Sequence, residues 1–195
     1  FTIVFVRELM KSCYQLKSSC MDFCHVLRMG HRPERDKRIT SHVALTSRAF
    51  GAEKMYLHRS DSRVVETVRD VVGKFGGNFV VEPTDNPKKI VKEWSGKILH
   101  LTMFGLPIDE NLDEIKKIKE PILVVVGAEK VPPWVFEYSD FNIAIGSQPH
   151  SEVSALAIAL SKISEDSYNQ NFEGPIQVIP SGERRNMVDI SKLED

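Results

Sequence analysis

Short apolar runs alternate with segments in which apolar residues recur at helical spacing along most of the chain. The runs predict six strands, at residues 23–27, 54–58, 78–81, 98–103, 122–126 and 141–145. The spaced segments predict helices at residues 40–50, 61–75, 87–94, 109–119 and 151–163, with a short helix opened by Pro132 and Pro133. Because strands and helices alternate, we expect an α/β fold with a mostly parallel, doubly wound sheet and helices on both faces.

The pattern changes at both ends of this region. After residue 167, two short apolar stretches at 176–179 and 186–190 flank a Pro-Ser-Gly turn, which predicts a β-hairpin. Residues 1–20 have no pattern that the sheet needs. We therefore expect three parts: a dispensable N-terminal extension at 1–20, a main domain at 21–166 and a C-terminal β-hairpin appendage at 167–195.

Composition supports a folded domain and excludes several classes of protein. The 195 residues are 42% hydrophobic and 27% charged, which is not typical of disordered, collagen-like or coiled-coil chains. No apolar run reaches the roughly 18–20 residues that span a bilayer, so we expect no membrane partner. The three cysteines, Cys13, Cys20 and Cys24, cannot all pair and lack zinc-knuckle spacing, which favours a reducing, cytoplasmic location and no metal.

Charge is distributed unevenly along the chain. Residues 1–60 contain 11 Lys and Arg against 5 Asp and Glu, whereas the remaining residues contain 15 against 22. This asymmetry suggests that a polyanion contacts the N-terminal part. A basic loop is predicted at residues 30–38, and the alternative to phosphate binding there is a solvated loop with ion pairs to Glu34 and Asp36. Five cations in and beside this loop suit phosphate contacts: Arg28, Arg32, Arg35, Lys37 and Arg38.

Three glycine-containing turns follow predicted strands, at residues 101–105, 127–132 and 146–152. The carboxyl ends of parallel strands meet at one edge of a sheet, where such folds bind ligands. Gly127 and Gly146 would let a ligand approach the backbone, and the helix beginning at Ser151 offers free N–H groups. Together the turns predict a pocket, although each alone would also fit an ordinary connection.

Four segments of the chain resemble one known family. They are RDKRITSHVAL at 35–45, LTMFG at 101–105, VGAEKVP at 126–132 and GSQPHSEV at 146–153. In this order they are similar to motifs of the archaeal tRNA 2′-O-methyltransferases that act on cytidine 56, members of the SPOUT superfamily. The resemblance extends from about residue 23 to residue 190, and Ser41 stands where the family often has threonine.

This resemblance implies a fold, a reaction and partners. It implies a C-terminal part threaded into a deep trefoil knot, and a homodimer with its active site near the subunit interface. It also implies S-adenosylmethionine as cofactor, tRNA as substrate and 2′-O-methylation of the ribose of cytidine 56. The alternative function is a non-catalytic RNA-binding protein of the same fold, which would keep the basic segment and lose the cofactor.

Binding residues are expected in the turns and in the basic segments. The cofactor-binding candidates are Leu101, Thr102, Gly127, Ala128, Glu129, Lys130, Val131, Ile145, Gly146, Ser147, Gln148, Pro149, His150, Ser151 and Glu152. Of these, His150 and Glu152 would alternatively only cap the helix that follows. The tRNA-binding candidates are Arg32, Arg35, Lys37, Arg184 and Arg185.

An arginine is the expected catalytic group, because a positive charge near a ribose hydroxyl stabilises the alkoxide that develops as the proton leaves. Arg38 is the first candidate, since we expect it where the basic loop meets the first helix, at the edge of the sheet. Arg48 is the alternative, selected by the N-x-G-x-x-x-R spacing of related SPOUT enzymes with His42 in place of the asparagine. It would lie about eight residues into the helix from Thr40, roughly 12 Å farther from the site at ~1.5 Å per residue.

Overall fold

The computed structural model describes residues 24–128 and 130–192. The expected extension at 1–20, the cysteines Cys13 and Cys20, the start of the first strand at Phe23 and the cofactor candidate Glu129 lie outside the described residues.

A six-stranded sheet forms the centre of the fold. Its strands are β1 Cys24–Met29, β2 Lys54–His58, β3 Val80–Thr84, β4 Lys97–Pro107, β5 Ile122–Gly127 and β6 Phe141–Ala144. The spatial order is β3-β2-β1-β5-β4-β6, and each of the five neighbouring pairs is parallel. The mostly parallel α/β sheet expected from the sequence is confirmed.

Helices cover both faces of this sheet, as the doubly wound prediction requires. They are α1 Pro33–Ala49, α2 Ser62–Phe75, α3 Pro87–Glu93, α4 Ile108–Ile115, α5 Trp134–Tyr138 and α6 Glu152–Ile163. The larger apolar cluster lies between one face and α1, α2, α4 and α6, and a smaller one lies between the other face and α3 and α5. Consecutive β5 residues face opposite sides of the sheet: Val124 packs in the larger cluster and Val125 in the smaller one, and both are fully buried.

The first helix begins earlier than predicted, and this corrects the expected basic loop at 30–38. Pro33 occupies the first helical position, where its missing N–H costs nothing, and Glu34 and Asp36 lie in the favourable first turn. The Asp36 carboxylate also accepts the backbone N–H of Arg32 at 3.2 Å and two bonds from its guanidinium, at 2.8 and 3.0 Å. Arg38 therefore lies in the second turn of α1 rather than at a junction between loop and helix.

β2 has its predicted bounds, the other strands differ by one to four residues at an end, and two of them differ most. β3 begins at Val80 rather than 78 and extends to Thr84, and it contains Pro83, which an edge strand tolerates. β4 extends to Pro107, past the predicted end at 103, with an irregularity in its pairing: both Leu101 and Leu106 are register partners of Ile143.

The C-terminal segment contains two short strands, β7 Ile176–Val178 and β8 Met187–Asp189, which pair antiparallel, followed by a 3₁₀ turn at Ile190–Lys192. The segment that leads into β7 packs against α1 through Arg48. The Arg48 guanidinium lies 4.1 Å from the centre of the Phe172 ring and donates to the Gly76 carbonyl at 2.7 Å. Arg48 thus ties the C-terminal segment to α1 and to the end of α2.

Candidate active site

A cavity of about 710 Å³ lies where β4, β5 and β6 end, at the predicted edge of the sheet. Its floor contains Leu101, Val126 and Ile143, which are register neighbours on adjacent strands and therefore face the same side. The volume lies within the range of small-molecule and cofactor sites. The predicted pocket is therefore present.

Most of the predicted cofactor residues line this cavity. Twelve of the fifteen do so: Leu101, Thr102, Gly127, Ala128, Lys130, Val131, Ile145, Gln148, Pro149, His150, Ser151 and Glu152. Gly146 and Ser147 lie in the same turn but do not line it. Eight lining residues are not among these candidates: His100, Met103, Phe104, Val126, Pro133, Phe136, Ile143 and Ala155. Of them, Met103, Phe104 and Val126 belong to segments that the sequence had singled out, and the other five were missed.

Two glycines let the surrounding chain follow its path. Gly105 lies against β6 so closely that an added Cβ would be 2.5 Å from the Asn142 carbonyl group. Gly146 has φ +70°, a left-handed conformation in which a side chain is strained, and it turns the chain out of β6 into the loop before α6. The close approach of β4 to β6 at Gly105 and the turn after β6 at Gly146 therefore both depend on glycine.

Hydrogen bonds fix the loop between β6 and α6. The His150 Nε2–H donates to the Ile145 carbonyl at 2.5 Å and closes the loop. The Ser151 hydroxyl accepts the Val153 N–H at 3.2 Å, so Ser151 is the side chain that caps α6. His150 and Glu152 therefore have other roles than the capping considered for them.

Glu152, at the first position of α6, pairs with an arginine from the sheet. The Arg28 Nη2 lies 2.6 Å from the Glu152 Oε1, and the Arg28 side chain is fully buried whereas that of Glu152 is 25% exposed. Desolvation lowers the pKa of Arg28, and the Glu152 carboxylate opposes that shift. The expected phosphate contact of Arg28 is wrong, because a fully buried side chain cannot reach the backbone of a nucleic acid.

The other predicted arginines and lysines lie outside the cavity. No residue of α1 lines it among those that the structure describes, so neither Arg38 nor Arg48 does. Arg38 is exposed and has no ion pair with the described part of the chain, and Arg35 is likewise exposed. Arg32 is engaged with Asp36, Lys37 is half-buried, and the exposed Arg184 and Arg185 lie between β7 and β8.

A buried histidine forms part of the cavity wall. His100 is 1% exposed, its Nδ1 lies 2.8 Å from the Asn142 Oδ1, and its ring packs edge-on against Phe136 with the centroids 4.7 Å apart. Burial lowers the pKa of His100, so its ring is neutral at pH 7. Burial also lowers the pKa of His58, whose Nδ1 accepts the Gly30 N–H at 3.3 Å.

Acidification should therefore destabilise the fold. Because the folded pKa values of His58 and His100 lie below the unfolded value near 6.5, the unfolded chain binds more protons as pH falls through that value. We expect the free energy of unfolding, measured with urea, to fall between pH 7.5 and pH 5. His58→Gln keeps an acceptor for Gly30 and should flatten this dependence. An unchanged slope in His58→Gln would contradict the assignment.

Two kinds of feature are missing from the described ranges 24–128 and 130–192. They hold no group of three or more His, Cys, Asp or Glu side chains that could bind a metal ion. None of their helices has the length and apolar character needed to cross a membrane.

Solved structures with the same fold are known. The chain aligns with a TrmH/SpoU tRNA-modifying enzyme from A. aeolicus at a TM-score of 0.53 and 15% identity, over 97% of this chain and 92% of that one. It aligns with the SpoU methyltransferase AviRb from Streptomyces viridochromogenes, crystallised with AdoMet, at 0.51 and 16%, over 73% and 57%. At such low identity these matches establish the α/β SPOUT fold alone.

Sequence relatives are much closer. The family model described as "tRNA ribose 2′-O-methyltransferase, aTrm56" matches residues 75–188. The tRNA (cytidine(56)-2′-O)-methyltransferase of Archaeoglobus fulgidus is 51% identical over 165 residues, covering 84% of this chain and 97% of the relative. The protein of that name from Pyrococcus horikoshii is 47% identical over 171 residues, covering 85% and 84%. The chain therefore belongs to the tRNA ribose 2′-O-methyltransferase family that these archaeal proteins represent.

Proposed function

We propose that this protein transfers a methyl group from S-adenosylmethionine to the ribose 2′-hydroxyl of cytidine 56 in tRNA. The observation that carries the proposal is the cavity at the ends of β4, β5 and β6, lined by the motif residues of a family whose members are named for this reaction. Localisation in the cytoplasm follows as part of the proposal, since tRNA is the substrate.

The cavity residues fit this cofactor. Leu101, Val131 and Ile145 offer apolar walls, and the backbone of Gly127 and Ala128 offers hydrogen bonds. Glu152 lines the cavity and has one carboxylate oxygen on Arg28, so the other can accept from an ammonium or ribose hydroxyl. When bound, S-adenosylmethionine supplies a methyl group on a positively charged sulfur. Because of that charge, the methyl carbon is already a strong electrophile and needs no activation by the protein.

The protein must then position the ribose oxygen and stabilise it as it loses its proton. We assign this role to Arg38, which is exposed and available, acting by its charge because an arginine keeps its proton in proteins. The alternative, Arg48, is already engaged with Gly76 and Phe172. Its contacts support a structural role.

A homodimer would bring Arg38 to the site. Since the described part of α1 contributes nothing to the cavity of its own chain, Arg38 would have to approach the cavity of a second copy. Exposed apolar side chains at the end of β4 support such a contact: Phe104 is 80% exposed, Leu106 59% and Met103 44%. Two of these, Met103 and Phe104, also line the cavity, so the dimer would form beside the site.

A trefoil knot is part of the proposal as well. Residues 101–104 line one cavity with residues 145 and 148–152, which lie about forty positions farther along the chain, and with residues 126–128, 130, 131 and 133. The helix α6 that follows packs its buried residues into the cluster that also contains Val43 and Ala44 of α1. We infer the threaded path from the resemblance to SPOUT enzymes, with which this gathering of β4, the turn after β5 and the loop before α6 is consistent.

The tRNA surface is assigned to the exposed arginines and to the half-buried Lys37. Arg35 and Lys37 on α1 lie near Arg38 in sequence, and Arg184 and Arg185 lie in the turn between β7 and β8. Arg32 contributes less, because Asp36 neutralises it. If these residues contact phosphates, the affinity for tRNA falls steeply as salt is raised.

A methyl-transfer assay tests the reaction. Unmodified tRNA transcript and S-adenosylmethionine labelled in the methyl group should give one labelled 2′-O-methylcytidine per tRNA, identified after digestion to nucleosides. Label in a base, or in a nucleoside other than cytidine, would contradict the proposal. Binding of tRNA without binding of S-adenosylmethionine at millimolar concentration in calorimetry would favour the non-catalytic alternative.

A further inference from the structure

The tautomer of His100 is fixed by its neighbours. The Asn142 Nδ2–H donates to the Phe136 carbonyl at 3.2 Å, and a carbonyl can only accept, so the orientation of the amide is determined. The Asn142 Oδ1 therefore faces the His100 Nδ1 at 2.8 Å and must accept the Nδ1–H. A neutral imidazole that carries its proton on Nδ1 has a lone pair on Nε2.

This lone pair is available to an occupant of the cavity. His100 lines the cavity, and its Nε2 has no hydrogen bond to the part of the protein that the structure describes. The side chain is 1% exposed, so the Nε2 is a nearly buried acceptor that the described part of the protein leaves without a partner. His100 and Leu101 are consecutive on β4 and face opposite sides of the sheet, so the site presents one neutral acceptor on the side where the His100 ring packs against Phe136.

The donors of S-adenosylmethionine differ in charge and shape. The ammonium is attracted by a carboxylate, and Glu152 provides one in the cavity, on the helix α6 rather than on the face that holds His100 and Phe136. The 6-amino group of adenine is a neutral N–H donor on a flat aromatic ring. It suits the neutral acceptor Nε2 of His100, whose ring packs edge-on against Phe136. We propose that His100, held by Asn142, accepts this 6-amino group and selects adenine over a 6-oxo purine. The inference rests on the proposed function, since it assumes this cofactor.

Calorimetry with two ligands tests the selection. S-adenosyl-L-homocysteine has the 6-amino group, and S-inosyl-L-homocysteine, made from it by deamination, has an oxygen there and differs in nothing outside the purine. The wild-type protein should bind the inosyl compound about ten-fold more weakly, the loss expected when a buried acceptor meets another acceptor. His100→Phe, which keeps a ring and removes the acceptor, should bind both compounds with similar Kd values. Phe136→Leu is the matched control and should weaken both equally, so the ratio stays at the wild-type value.

A second measurement on the wild type keeps the inference testable if His100→Phe fails to fold. Nitrogen NMR of ¹⁵N-histidine-labelled protein should show the Nδ1–H tautomer for His100, and the Nε2 resonance should shift with S-adenosyl-L-homocysteine and not with the inosyl compound. Equal binding of the two compounds by the wild type, an unchanged ratio in His100→Phe, or the Nε2–H tautomer would each overturn the inference. A wild-type protein that binds neither compound would instead overturn the proposed function.

Discussion

Arg38→Ala should lower kcat for methyl transfer by about 10²–10³-fold, the loss seen when one group that stabilises a developing oxyanion is removed. The Kd for S-adenosylmethionine should stay near the wild-type value, because no residue of α1 lines the cavity in the described part of the chain. Single-turnover kinetics with saturating tRNA measures the first quantity and calorimetry the second.

Two controls make this prediction sharper. Arg35→Ala, one turn earlier on α1 and equally exposed, should weaken tRNA binding and leave the single-turnover rate at saturation unchanged. Mixing Arg38→Ala protein with an inactive cavity variant should restore activity, because a mixed dimer then contains one site with both intact parts. Full activity of Arg38→Ala alone, or no recovery in the mixture after subunits exchange, would contradict the assignment.

Arg28→Ala should destabilise the fold by about 3 kcal/mol, the lower end of the cost of removing one partner from a buried ion pair. The lower end applies because the Glu152 side chain left behind is 25% exposed and partly solvated. The variant should also bind S-adenosylmethionine more weakly, since Glu152 and the start of α6 lose their anchor to β1. Urea unfolding and calorimetry measure the two effects.

A double replacement separates the two roles of this pair. Arg28→Met with Glu152→Leu removes both charges and should recover most of the lost stability, because paired apolar residues often replace a buried ion pair at little cost. It should not recover cofactor binding, because the carboxylate in the cavity is gone. If Arg28→Ala were as stable as the wild type, the pair would not hold the start of α6.

Strands and pocket were predictable from the sequence because both depend on local pattern. The apolar runs predicted all six strands of the sheet. Parallel pairing brings residues 101–105, which the structure places within β4 rather than in the predicted turn, and the turn after β5 to one edge of the sheet. The start of α1 was missed although Pro33 with Glu34 and Asp36 is a signal for it. The basic composition of residues 30–38 predicts a loop there instead.

The remaining site residues depend on contacts that no local pattern contains. Arg28 follows Cys24 and Val26 at a spacing of two, which predicts that all three face the same side of β1, but its partner Glu152 is 124 positions away. His100 and Asn142 meet because β4 and β6 are neighbours in register, and that order cannot be derived from residues in either strand. Sequence spacing therefore predicted the position of the cavity but not the Arg28–Glu152 and His100–Asn142 pairs beside it.

Removal of one oxygen atom from the substrate tests whether the ribose 2′-hydroxyl of residue 56 accepts the methyl group. Two tRNA molecules would be prepared that differ only in residue 56, one with cytidine and one with 2′-deoxycytidine, and incorporation of labelled methyl would be measured for each. We expect one methyl per tRNA for the first and none for the second, with both binding the protein equally well. Equal methylation of the two molecules would contradict this expectation.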